Sequence, residues 1–285
     1  MTWNQKYWDA LDQLYWTPKY LGLSSIPQRK WRRENGWICV PEELVNKSGP
    51  LYSRGIRSAD IVEHLHRQEE ILNHVFDITF AVAGDQIIER LFFHPLGFQD
   101  KGPFESVGRE VQTRYGWGAF GNVTQQDGFF ASDKSAIGVE LKLRASTWPE
   151  QIIKYVSLLA WEEQAKGHRD QLGLLFIIPE TAIARHWKKC GLDGPEIDAG
   201  FLDHINREKL NRKILDLVET RRDDIASVLD RLTLNVVSWS SFLESLLQIE
   251  KELDGSKVGD QTLLRLLRGF TAQLQQHEGT GINEH

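Results

Sequence analysis

The stretch "DGFFASDKSAIGVELK", residues 127 to 142, decides the fold. It is an apolar hairpin that carries an acid at Asp127 on one arm and an acid and a base, Glu140 and Lys142, on the other. Charges on an arm that buries a face are costly unless something pairs them. A turn centred on Asp133-Lys134 sets Ser132 against Ser135, so residues whose numbers sum to 267 lie opposite one another. Asp127 then faces Glu140, with Cβ atoms about 4.5–5.5 Å apart, and Lys142 shares the face of Glu140 because side chains alternate along a strand. "SDKS" is not the Asn-Gly type that favours two-residue hairpins, so this register rests on the assumed turn.

Two facing acids repel, and a divalent cation resolves the repulsion. Mg²⁺ is held by one or two carboxylates plus waters and phosphate oxygens, the set this hairpin offers. A lysine beside that ion orients an attacking water and offsets charge on a phosphate. The competing reading is a solvated Glu-x-Lys pair that contributes little.

Outward from the hairpin, "TWPEQIIKYVSLLAWEEQAKG" predicts a helix with Thr147 as N-cap, Pro149 in its first turn and a stop at Gly167. "LGLLFIIP" reads as a strand buried on both faces. Upstream, "FESVGREVQTRYGW" alternates like a strand, "AGDQIIERLFFHPLGF" reads as a turn and short helix ending at Pro95 and Gly97, and "SADIVEHLHRQEEILNHVF" has helical spacing with Ser58 or Asp60 as cap. Helical text runs from about 181 to 230, followed by "LTLNVVSWSSF" as a last strand and two amphipathic stretches to about 275. The tail "EGTGINEH" is expected to be disordered. Helix, three meandering strands, helix and strand predict an α/β core with a mixed sheet covered by helices. The expected organisation is an appended N-terminal region over 1–57, a main domain over 58–250, and a C-terminal helix with its tail over 251–285.

Gln151 and Tyr155 lie four apart on the helix after the Glu-x-Lys strand, hence on one face. With Asp127, Glu140 and Lys142, and with Glu89 on a short helix upstream, the ordered set resembles the PD-(D/E)XK nuclease superfamily, particularly its RecB-like members. The resemblance covers roughly residues 84 to 180. It implies a restriction-endonuclease-like fold and a metal-dependent nuclease, with DNA a better substrate than RNA. Asp127 matches the metal-binding strand acid, Glu140 and Lys142 the (D/E)XK pair, and Gln151 and Tyr155 the Gln-x-x-x-Tyr helix motif. Leu141 is implied to offer its backbone carbonyl to the metal. Glu89 fits best as the helical acid, with Glu69 and Glu70 as alternatives. Mg²⁺ is the implied cofactor, with Mn²⁺ substituting. One departure is Gln126, where many members have proline before the acid.

The rest of the chain supplies weaker signals. Lys30, Trp31, Arg32 and Arg33 join cations to a stacking surface and are candidates for gripping nucleic acid, though a Trp packed on a core explains them equally. His64, His66 and His74 lack the partners of a zinc site and fit a helix surface. No Walker-type loop is present, so no nucleotide cofactor is expected. Cys39 and Cys190 are far apart and read as reduced thiols. No signal peptide or membrane-length apolar run is seen, so a cytoplasmic protein is expected, forming a homodimer or a larger protein assembly. The net charge of −6 argues against non-specific nucleic-acid binding over the whole surface and leaves room for a local basic track. It favours the alternative reading, a catalytically inactive nuclease-fold protein serving as a binding or assembly module. A two-carboxylate glycosidase would leave Lys142 and Gln151 without a role.

Overall fold

The computed structural model describes residues 69–106, 126–143, 148–205 and 210–282, and the backbone of 32–34, 37–39 and 56–57. The last three pieces are short strands, β1 (Arg32–Glu34), β2 (Trp37–Cys39) and β3 (Ile56–Arg57), in one antiparallel sheet. Of the basic candidates, Arg32 and Arg33 lie on β1 by backbone alone, and Lys30 and Trp31 lie outside the described residues.

The main body follows the order helix, strands, helix, strand. Helix α1 (Glu69–Ala81) precedes α2 (Asp85–Ile88), which continues through a π-turn over Glu89–Phe93 and a 3-10 turn over His94–Leu96. Gly97, at φ 76°, ends the run in the left-handed region where a Cβ is disfavoured. Strands β4 (Glu105–Ser106), β5 (Gly128–Ala131) and β6 (Ser135–Leu141) come next, then α3 (Pro149–Lys166) and β7 (Gln171–Ile178). After α4 (Glu180–Cys190), α5 (Phe201–His204), α6 (Arg212–Thr220) and α7 (Arg222–Leu229), the chain enters β8 (Leu232–Ser238), α8 (Trp239–Glu252) and α9 (Val258–Gln276). The five strands form one mixed sheet in the order β4-β5-β6-β7-β8. The first two pairings are antiparallel and the last two parallel. The fold is α/β. Among the described residues no helix is long and apolar enough to cross a membrane.

Side-chain alternation divides the core into two layers. Phe129, Ala136, Leu174 and Phe176 pack on α3, α6 and α7 on one face. Phe130, Ile137, Val139, Leu175 and Ile177 pack on the other face with Phe76, Phe80, Phe242 and Phe270, whose rings meet mostly edge to face. Burial on both faces explains the unbroken apolar sequence of β7.

The hairpin has the expected register: Gly128 pairs with Val139, Phe129 with Gly138, Phe130 with Ile137 and Ala131 with Ala136. The turn holds without Asn-Gly because side chains brace it. Ser132 Oγ accepts from the N–H groups of Lys134 and Ser135 at 3.0 and 3.1 Å, and donates to the carboxylate of Asp100. Burial pushes the Asp100 carboxyl up, but hydrogen bonds from Ser132 and Gly102 outweigh it and leave the group below its ordinary range.

Several boundaries differ from the sequence expectation. Trp148, in an extended conformation, flanks α3 at its N-terminus, and Thr147 lies outside the described residues, as do Ser58 and Asp60. "WSSF" opens α8 instead of closing β8, because Ser238 accepts from the Ser241 N–H at 3.1 Å and caps a helix there. Helix α9 packs into the main body, with Leu267, Phe270 and Leu274 buried in the second layer. The tail continues as a 3-10 turn over Glu278–Thr280, with Thr280 buried, in place of the disorder expected from residue 278.

Candidate active site

The site forms where β6 ends and α3 begins. Asp127 stands one residue before β5, so the ladder gives Leu141 no backbone partner there; the Asp127 carboxylate supplies it, with Oδ2 accepting from the Leu141 N–H at 2.8 Å. A strand residue points its N–H and C=O the same way, so the Leu141 carbonyl lies on the Asp127 side. On its other side, β6 pairs with β7, and the Lys142 N–H donates to Ile177 O at 2.9 Å.

Glu140 is 1% exposed. Its Oε1 receives both Lys142 Nζ at 2.6 Å and Gln151 Nε2 at 2.8 Å. Its Oε2 is buried with no partner. Lys142, with 14% of its side chain exposed, also gives its carbonyl to Trp239 Nε1 at 2.9 Å, which fixes the strand end against α8.

Tyr155, on α3, lies against both hairpin arms. Its hydroxyl donates to Val139 O at 2.8 Å and accepts from the Asp127 N–H at 3.2 Å, so it ties the two hairpin arms together. Burial, then the charges of Glu140 and Asp127, raise its pKa well above the ordinary phenol value, and the group stays neutral. The ring reaches this position by lying on Gly138, where an added Cβ would come within 2.3 Å of Tyr155 Cδ1. Any larger residue there moves the ring.

Among the sequence candidates, the structure joins Glu140, Lys142 and Gln151 by direct contact, and joins Asp127, Leu141 and Tyr155 in a second set beside them. Glu89 makes no direct contact with this group. Glu89 sits on the π-turn that packs in the second layer, and its carboxylate is engaged by Lys101 and by His94 Nε2 at 3.0 Å. The Lys101 hydrogen bond outweighs burial and holds that carboxyl below its ordinary value. The side chains of Glu69 and Glu70 lie outside the described ones. The helical residue at the site is Asn73, whose Nδ2 donates to Asp127 Oδ1 at 2.5 Å. The sequence carries one sign of it, an amide set among Leu72, Val75 and Phe76 on the buried side of α1.

The arrangement offers hard oxygen donors, one cation and a depleted shell. Among the described residues no three His, Cys, Asp or Glu side chains form a ready metal cluster. A site built from two carboxylates and backbone oxygen still suits a Mg²⁺-class ion, which keeps several waters. The bare Oε2 of Glu140 is the observation that fits it, since a buried acceptor without a partner costs about 1–3 kcal/mol. Comparisons with family models, characterised proteins and solved structures give no match.

Proposed function

We propose that this protein is a metal-dependent nuclease of the PD-(D/E)XK type that hydrolyses phosphodiester bonds in DNA. The observation that carries the reading is Glu140, an almost fully buried acid that holds Lys142 and Gln151 on one oxygen and leaves the other bare. The order of helix, antiparallel strands, helix and parallel strand supports it, since the resemblance implies a restriction-endonuclease-like arrangement of this kind.

Asp127, Glu140 and the Leu141 carbonyl would hold the ion. When bound, a Mg²⁺-class cation supplies charge neutralisation at the scissile phosphate. Lys142 orients the attacking water and donates to phosphate oxygens as charge builds on them. The water oxygen forms the new bond to phosphorus, the bond to the leaving oxygen breaks, and the water's protons pass to solvent and leaving group. Gln151 fixes the Glu140 carboxylate, and Tyr155 is a positioning residue that keeps the two arms in register. Basic residues of the N-terminal region would grip the DNA backbone.

A second reading, an inactive nuclease-fold module that binds or assembles, draws on Asp127. Both of its oxygens are already taken, by Asn73 and by the Leu141 N–H. Plasmid incubated with the protein in Mg²⁺ or in EDTA separates the two. Nicking that requires Mg²⁺ supports the enzyme, and intact plasmid with a retained gel shift supports the module.

A further inference from the structure

Asn73 is one of the least expected residues in the second layer. It sits within α1, 4% exposed, with Leu72, Val75 and Phe76 beside it in the core. An amide placed there must satisfy two donors and one acceptor or leave them unpaired at a cost. Its Nδ2 is satisfied by Asp127 Oδ1 at 2.5 Å, while its Oδ1 is buried and has no partner. Glu140 Oε2 is in the same condition. Two bare buried acceptors thus belong to residues around Asp127: Asn73 on α1 donates to it, and Glu140 on β6 directly precedes Leu141, whose N–H also donates to it. Two lone acceptors cannot satisfy each other. Each calls for a donor or a cation.

We infer that Asn73 is an oxygen ligand of the cation site, and that its amide turns over when the ion binds. This rests on the metal-dependent reading above and extends it to a residue outside the hairpin. With no cation present, the Asp127 carboxylate accepts from the amide nitrogen. Once a cation takes the Asp127 charge, the nitrogen is no longer needed there. Half a turn about the Asn73 side chain then presents Oδ1, a neutral hard oxygen of the kind Ca²⁺ and Mg²⁺ sites accept. The site would hold two carboxylates and two neutral oxygens, Leu141 O and Asn73 Oδ1, with waters completing the shell.

A role limited to donation predicts the opposite sign. If Nδ2 only holds Asp127, it competes with the cation, and removing it leaves metal affinity unchanged or raises it. If Oδ1 is a ligand, removing it weakens binding. The test is calorimetric titration of Mn²⁺ into the wild type, Asn73→Ala and Asp127→Ala in the absence of DNA. The expected result is binding by the wild type and an affinity about 10-fold lower in Asn73→Ala, the lower end of the loss when a metal's supporting groups are removed. Equal or tighter binding by Asn73→Ala overturns the ligand role and leaves the nuclease reading standing. No Mn²⁺ binding by the wild type overturns both. Should Asn73→Ala fail to fold, the wild type still answers. On Mg²⁺ addition the Asn73 side-chain amide protons should shift upfield as they leave Asp127, and a pair unmoved at saturating Mg²⁺ contradicts the inference.

Discussion

The two ends of α3 each bury charge, and they do it differently. At the C-terminal end, Glu162 and Glu163 meet Arg169 and Arg231, two acids against two bases. Glu163 is closely held: Arg231 reaches its Oε2 at 2.5 Å and its Oε1 at 3.1 Å, and the Arg169 N–H reaches Oε1 at 2.8 Å. Arg169 contacts Glu162 at 3.5 Å. At the N-terminal end, Lys142 pairs with Glu140 at 2.6 Å, Asp127 accepts from Asn73 and from the Leu141 N–H, and acceptors on Glu140 and Asn73 stay bare. At the C-terminal end charges of both signs meet and the buried atom left without a partner is a donor, Arg169 Nε, as suits a cluster that serves the fold. Empty acceptors at the other end are what the proposed ligand site would show, since an unpaired buried acceptor opposes stability.

The largest expected effect breaks the incomplete end. On the proposed reading Asp127→Ala removes a metal ligand as well as the acceptor of the Leu141 N–H, so Mn²⁺ binding and plasmid cleavage should both fall below detection. Retained cleavage would move the metal site elsewhere. Gly138→Ala tests the scaffold under it. With the new Cβ only 2.3 Å from the Tyr155 ring, the loss should reach about 3 kcal/mol in urea denaturation, the upper part of the overpacking range. A change under 1 kcal/mol would mean that the ring is not fixed on the strand as described.

The balanced end should respond in stability alone. Glu163→Gln removes a partly buried charge from Arg231 and should cost about 2 kcal/mol, less than a fully buried pair because Arg231 retains access to solvent. Its Mn²⁺ affinity should match the wild type, which is the sharpest contrast with Asp127→Ala. The smallest effect is in pH. Burial raises the Glu163 carboxyl, but hydrogen bonds from Arg231 and Arg169 outweigh it and set the folded value below the ordinary 4.5. Because the folded value is the lower one, the stabilisation is complete well above 4.5 and fades as pH falls through the folded value. The stability gap between wild type and Glu163→Gln should therefore close on acidification, and a gap that widens would reverse the assigned shift.

The same contrast explains what the sequence revealed. The hairpin register was legible because side chains alternate with a period of two, so one assumed turn fixed the opposed pairs from Ala131 and Ala136 to Gly128 and Val139. Helix α3 was legible from Pro149 and Gly167, and with it the shared face of Gln151 and Tyr155. The site's remaining parts depend on contacts between distant segments. Asn73 reaches Asp127 across 54 positions, and Asp100 braces the Ser132 turn across 32. Glu89 had the right residue type on a helix upstream, but the π-turn set it among Lys101 and His94. The need for Gly138 became visible only when the Tyr155 ring lay over it.

The central claim is that Lys142 acts on the reaction while Asp127 and Glu140 hold the ion. The direct measurement is a plasmid-cleavage time course in Mg²⁺ for wild type and Lys142→Ala, beside Mn²⁺ calorimetry on both. Removing Lys142 takes a positive charge from Glu140 Oε1, so Mn²⁺ affinity should persist or rise. Cleavage should fall about 10²-fold or more, the usual loss for one preorganised charge-stabilising group. Cleavage by Lys142→Ala at the wild-type rate would make the lysine a structural partner of Glu140 and contradict the account.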